Sequence, residues 1–191
     1  MILIVKGKKN IPKDRPFIIC SNHSSFLDPF CFYVIFKLYF VFIGKKEIEK
    51  WPLFRIFYTT GMNILIDRSS ASGALAGYKK MVNELENKNP IVIFPEGTRS
   101  KISPKLQDFK AGAFSIAIQK KTPILPISFI DNWKRLQAGG FFSGKAGPGI
   151  SRVIIHPLIQ TNELHKTDLE ELQLQIHEII ESPILKVHCK L

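Results

Sequence analysis

Cysteine is scarce: three residues in a chain of 191, at positions 20, 31 and 189. They lie far apart and form neither a metal-ligand spacing nor an even set for disulfides. Cys20 and Cys31 fall in apolar runs and read as core residues, so a disulfide-built secreted scaffold is excluded and a reducing compartment is expected. Acidic residues are also few, 16 against 27 Lys+Arg, which leaves a formal net charge of +11. Such a surface calls for an anionic partner: a phosphorylated substrate, nucleic acid or an acidic membrane face. No long uninterrupted apolar run exists. The most apolar stretch, Phe26 to Ile43, is broken by Asp28, Pro29 and Lys37, whereas a spanning helix needs roughly 20 mostly uncharged residues. No transmembrane helix is therefore predicted. Met1 to Gly7 is too short for a signal peptide's apolar region and reads as a first strand. Repeats, low-complexity tracts and linkers are missing as well, so one domain over 1–191 is expected.

What the chain does have is phenylalanine, 15 residues of it, and beside so many basic residues this leans toward lipid or membrane. Apolar runs at Pro16–Cys20, Tyr39–Ile43, Met62–Ile66, Pro90–Phe94, Ile124–Ile130 and Ser151–His156 read as strands. Between them, Pro29–Leu38, Trp51–Tyr58, Ala71–Asn87 and Ala113–Lys120 read as helices. Phe141 to Gly149 reads as a Gly-rich loop. A capping box, Thr167-Asp168-Leu169-Glu170, opens a last helix with Leu169, Leu172, Ile176 and Ile179 on its buried stripe. Strands alternating with helices predict an α/β domain, its mixed and mainly parallel sheet flanked by helices.

The stretch Ser21-Asn22-His23-Ser24-Ser25-Phe26-Leu27-Asp28 stands where a strand gives way to a loop and then a helix, a junction at which α/β proteins place chemistry. His23 and Asp28 form an H-x4-D pair. A neutral imidazole takes a proton from an alcohol near pH 7, and a carboxylate on its other nitrogen fixes the tautomer and stabilises the imidazolium. A substrate that brings its own hydroxyl needs no protein nucleophile. The second constellation is Phe94-Pro95-Glu96-Gly97-Thr98-Arg99. Gly97 allows close backbone approach, Thr98 offers a hydroxyl, and Arg99 can grip a phosphate or carboxylate bidentately, with Glu96 expected to hold its guanidinium. Arg68 at a strand end and Lys110 in a Phe-Lys-Ala-Gly turn would add positive charge. Taken singly, these features serve equally well as a turn, a helix start or solvated surface charges.

Together they carry a resemblance. Asn22 to Asp28 resembles the N-H-x4-D block of the glycerolipid acyltransferase family, which includes 1-acylglycerol-3-phosphate acyltransferases. Phe94 to Ser100 is similar to that family's F-P-E-G-T-R-S block, Gly61 to Arg68 to its second block, and Thr122 to Ile127 to its fourth, in the family's order. The resemblance implies an α/β fold on a membrane face. It also implies transfer of a fatty acyl group from a thioester donor, acyl-CoA or acyl-carrier protein, to a lysophospholipid acceptor. No cofactor or metal is implied. His23 and Asp28 would be catalytic; Glu96, Gly97, Thr98, Arg99, Arg68 and Lys110 would bind substrate. Only 22 residues precede His23, where many relatives carry hydrophobic helices. A peripheral or monotopic seat on an anionic, cytoplasmic membrane face would then use the Phe-rich segment 30–58 with Lys45, Lys46, Lys50 and Arg55.

Other classes fit less well. A serine hydrolase built from Ser24 or Ser25 lacks a G-x-S-x-G elbow, and His23 with Asp28 has too few partners for a metal. A nucleic-acid partner is not expected, since the aromatics sit in apolar runs instead of alternating with basic residues. A basic, non-catalytic membrane- or nucleic-acid-binding protein remains the alternative from a different class.

Overall fold

The computed structural model describes residues 1–13, 15–45, 63–67, 69–136 and 146–189. Seven strands form one sheet: β1 (Ile2–Lys6), β2 (Ile18–Ser21), β3 (Val41–Lys45), β4 (Asn63–Ile66), β5 (Ile91–Ile93), β6 (Ile124–Phe129) and β7 (Ile150–Ile155). Their spatial order is β1-β7-β6-β2-β5-β3-β4. All neighbouring pairs are parallel except β6 and β7, which run antiparallel. The expected mixed, mainly parallel sheet is thus what forms.

Position in the sheet follows from the sequence pattern. The central strands β2, β5 and β6 are buried at every residue, matching their unbroken apolar runs; the outer strands β1, β4 and β7 alternate, as strands wetted on one face do. Helices α2 (Ala71–Glu86), α3 (Gly112–Gln119) and α5 (Leu169–His188) cover one side, where Met81, Leu85, Phe114, Ile116, Ile176 and Ile180 meet Ile18, Cys20, Ile91 and Ile93. Helix α1 (Asp28–Ile35) covers the other, where Cys31, Phe32, Ile35 and Phe36 meet Phe17, Ile19, Val92, Leu125 and Phe129. A single short turn, α4 (Asn132–Arg135), follows β6.

Several expectations need correcting. Helix α1 stops at Ile35, not Leu38, because Phe36 turns extended and packs with Phe32 and Phe40 beneath the sheet, ring centroids 5.9 and 6.0 Å apart. The buried stripe of α5 runs through Leu172, Ile176, Ile180 and Ile184; Ile179 sits on its flank, since steps of four keep closer to the helical period. The capping box lies two residues earlier than Thr167 and caps a 3-10 turn, Lys166–Asp168, that leads into α5: His165 N donates to Asp168 Oδ2 at 2.7 Å, while Asp168, the N-cap of α5 itself, makes no side-chain cap bond there. Phe17, Phe32, Phe36, Phe40, Phe42, Phe109, Phe114 and Phe129 are buried, so eight of the 11 phenylalanines among the described residues build the interior. The helix expected at Trp51–Tyr58 lies outside the described residues, as does part of the loop expected at Phe141–Gly149.

Candidate active site

Three adjacent parallel strands, β5, β2 and β6, deliver their carboxyl ends to one edge of the sheet. That edge is where open α/β sheets bind ligands. The loop after β2 carries His23, the loop after β5 carries Glu96 to Arg99, and α4 follows β6.

The chain leaves β2 through Asn22, whose side chain extends the ladder where the backbone turns away. Asn22 Nδ2 donates to Phe129 O at 3.0 Å and Phe129 N donates to Asn22 Oδ1 at 2.8 Å. His23 is then strapped to the β5 loop on both sides of its peptide. Its N–H donates to Glu96 Oε1 at 2.7 Å, and its carbonyl accepts from Ser100 N at 2.7 Å. The imidazole Nδ1 lies 3.0 Å from Asp28 Oδ2, the contact expected from the H-x4-D spacing. With Nδ1–H engaged by the carboxylate, the lone pair falls on Nε2. The His23 side chain retains 18% exposure, so its ring is open to solvent.

Asp28 is fully buried. The turn it closes folds back so that Ser24 N and Ser25 N donate to Oδ2 at 2.7 and 2.8 Å. The other oxygen, Oδ1, accepts from Asn132 Nδ2 at 2.7 Å. Four donors therefore converge on one carboxylate.

In the β5 loop, Gly97 has φ +73°, a left-handed conformation that costs glycine nothing, and its N–H closes the turn onto Phe94 O at 2.9 Å. Glu96 is only 2% exposed. Contrary to the expectation from the sequence, it does not hold Arg99; its second oxygen accepts from Gln107 N at 3.0 Å. Glu96 thereby ties His23 to the loop leading to α3. Burial pushes its carboxyl up to about 7, although the His23 and Gln107 N–H groups favour the charged form.

Arg99 is supported by an aromatic ring instead. Its guanidinium carbon lies 3.4 Å from the centroid of Phe26, a cation–π contact. Its Nη1 is buried without a hydrogen-bond partner among the described residues. Burial lowers the guanidinium from its ordinary value, opposed by the charge of Asp28. The two motifs exchange rings: Phe94 of the second stacks on His23 of the first, centroids 4.1 Å apart and 19° from parallel, while Phe26 of the first lies under Arg99 of the second. Neither half is complete alone.

The remaining expected residues are less tightly placed. Thr98 and Lys110 are exposed. Lys110 joins the site through its backbone, its N–H donating to Pro95 O at 2.8 Å. Arg68 lies outside the described residues. Asn132 and Gln107 were not anticipated. Neither sits in a recognisable motif: Gln107 reaches Glu96 across 11 positions of the same loop, whereas Asn132 reaches Asp28 across 104, a contact that only the strand order creates.

The sequence and the fold of this chain both match those of acyltransferases. The family model described as Acyltransferase matches residues 2–130. This chain is 31% identical over 179 residues to the 1-acyl-sn-glycerol-3-phosphate acyltransferase of Borreliella burgdorferi, covering 93% of this chain and 70% of that protein. Against the protein of that name from Saccharomyces cerevisiae the identity is 32% over 176 residues, covering 91% of this chain and 57% of the relative. Its fold is similar to the crystal structure of the 1-acyl-sn-glycerophosphate (LPA) acyltransferase PlsC from Thermotoga maritima. That match has a TM-score of 0.80 and 26% identity, and covers all of this chain and 73% of the other. The chain belongs to the acyltransferase family, a family of enzymes.

Proposed function

We propose that this protein transfers a fatty acyl group from a thioester, acyl-CoA or acyl-carrier protein, to the free hydroxyl of 1-acylglycerol-3-phosphate, giving phosphatidic acid. The observation that carries the reading is the buried Asp28 held on His23 Nδ1 at 3.0 Å, with the motif bearing Arg99 hydrogen-bonded to both sides of the His23 peptide. In this mechanism His23 Nε2 takes the proton of the acceptor hydroxyl as its oxygen attacks the thioester carbonyl. The tetrahedral species collapses, the carbon–sulfur bond breaks, and the thiolate sulfur takes up the proton that His23 releases. Asp28 stabilises the transient imidazolium. Arg99, with its spare Nη1, receives the acceptor's phosphate, and Gly97 and Thr98 shape the approach to it.

General-base assistance of this kind contributes roughly 10² to 10⁴ in rate; holding two substrates together supplies much of the rest. The acceptor and thioester would meet at a membrane face. We propose a peripheral seat on an anionic cytoplasmic surface; among the described residues no helix is long and apolar enough to cross a membrane. Support comes from α1, whose outer face exposes Phe30, Tyr33 and Val34 next to Tyr39. Another lyso-lipid bearing an anionic head group would satisfy the same site.

The test is thiol release from acyl-CoA in the presence of lysophosphatidic acid. His23→Ala abolishes it while the protein stays folded by circular dichroism. Near-normal turnover in that variant removes the mechanism. A panel of lyso-lipid acceptors with one donor, read by product mass, decides the acceptor.

A further inference from the structure

Every donor to Asp28 comes from its own turn except one. His23, Ser24 and Ser25 stand within five positions of it, and all three address Oδ2. Oδ1 is held by Asn132, 104 positions away. We propose that Asn132 is a positioning residue for the reaction: together with Ser151 it sets the plane of the Asp28 carboxylate and so the aim of His23. This rests on the general-base reading given above.

The amide's orientation is determined. Its oxygen accepts from Ser151 Oγ on β7, and Asp28, Asn132 and Ser151 are all fully buried. Were the amide reversed, its oxygen would face an acceptor-only carboxylate. Asn132 also lies 3.5 Å from Cys31 Sγ on α1. The χ2 torsion of an aspartate is soft, with broad wells, so two backbone donors on one oxygen do not fix the carboxylate plane. A donor on the opposite oxygen does.

The neighbouring contacts act in the same direction. Phe129 holds Asn22 by two hydrogen bonds, and Leu136 O accepts from Ser25 Oγ at 2.7 Å. The stretch from the end of β6 through α4 is thus a template against which the His23–Asp28 turn is cast. Asn132 touches neither substrate, so its influence passes through Asp28. A carboxylate relieved of one N–H donor is more basic toward its remaining partner and holds the imidazolium more tightly. Losing the Asn132 amide therefore moves the acidic limb of the kcat–pH profile to higher pH.

The experiment uses the full chain with acyl-CoA and lysophosphatidic acid, comparing Asn132→Ala, Ser151→Ala and His23→Ala for kcat, both KM values and the pH profile. For Asn132→Ala, losing a hydrogen bond to a charged group is expected to lower kcat at least about tenfold. Both KM values stay within about twofold, since no substrate contact is lost. Ser151→Ala leaves the Asp28 contact but frees the amide and so weakens it, and a smaller loss is expected, with a smaller limb shift in the same direction. It serves as the test should Asn132→Ala not fold. An unchanged kcat with an unmoved limb overturns the proposal. So does a loss shared between kcat and KM with an unmoved limb, which marks a purely structural role. The His23→Ala arm separates the two readings: turnover in that variant defeats the general base, whereas an inactive His23→Ala beside a fully active Asn132→Ala defeats only the positioning role.

Discussion

The aspartate and the arginine of this site live under opposite rules. Asp28 has no exposure and four donors on its two oxygens. Arg99 has an aromatic ring for a floor and a buried nitrogen without an acceptor among the described residues. A buried polar group that is fully satisfied is fixed in place; one left short costs stability until something arrives to bond it. Under the proposed function the saturated end of the site holds a geometry, and the unsaturated end receives an anion. Mutations at the two ends should therefore fall on different kinetic constants.

The largest effect belongs to the saturated end. Asp28→Asn keeps the shape but turns part of an acceptor into a donor, facing Ser24 N, Ser25 N, His23 and Asn132. The imidazole loses its tautomer control, and kcat is expected to fall by on the order of 10³ to 10⁴. Steady-state kinetics on the folded variant measure it. A loss below about tenfold would mean that His23 is oriented without the carboxylate.

At the unsaturated end, Arg99→Ala removes a charged donor, worth roughly 1.5–3 kcal/mol. The acceptor KM is expected to rise about ten- to a hundredfold with kcat much less affected. A rise confined to the thioester KM would reassign Arg99 to the donor. Arg99→Lys should recover little, because an ammonium neither stacks flat on Phe26 nor offers a planar fork.

How much of this was legible in the sequence depends on the distance over which each contact closes. His23 and Asp28 are five positions apart and meet within one turn, so the spacing alone announces them. The apolar runs that became β2, β5 and β6 were equally plain, because strands buried on both faces cannot alternate. The strand order was not legible, and with it went Asn132, which reaches Asp28 across 104 positions. Glu96 shows a subtler failure. An acid three residues from an arginine suggests an ion pair, yet Glu96 turns inward to the backbone of His23 and Gln107, and the guanidinium settles on Phe26 instead. Burial decided between those partners, and burial is a property of the fold.

That inward turn has a signature in pH. An exposed glutamate titrates near 4.5, while Glu96 in the folded state titrates near 7. Between those values the native state holds a proton that the unfolded chain has released. The stability contributed by this group is complete below about 4.5 and is lost as pH rises through about 7. The ceiling on that loss is about 3 kcal/mol. His156 works the other way: burial lowers it to about 4, so its contribution grows as pH rises from about 4 to the ordinary histidine value. Urea unfolding of Glu96→Gln and wild type across this window isolates the first effect. The difference in stability between the two should tilt with pH, and a constant difference would place Glu96 in contact with solvent.

The smallest and most discriminating effects come from the exchanged rings. Phe94 stacks on His23 and Phe26 lies beneath Arg99, so each motif reaches across to support the other's working side chain. Stacking and cation–π contacts of this kind contribute about 0.5–2 kcal/mol, a change of several-fold in whichever constant they serve. If the division between a held end and a receiving end is correct, the effects cross over relative to sequence position. Phe26→Leu, in the histidine motif, should raise the acceptor KM, and Phe94→Leu, in the arginine motif, should lower kcat. Leucine keeps most of the apolar volume at both positions, so the comparison reads the ring's face and not a cavity. Two variants that instead track their own motifs would mean that the rings fill space and the side chains above them are held by hydrogen bonds alone.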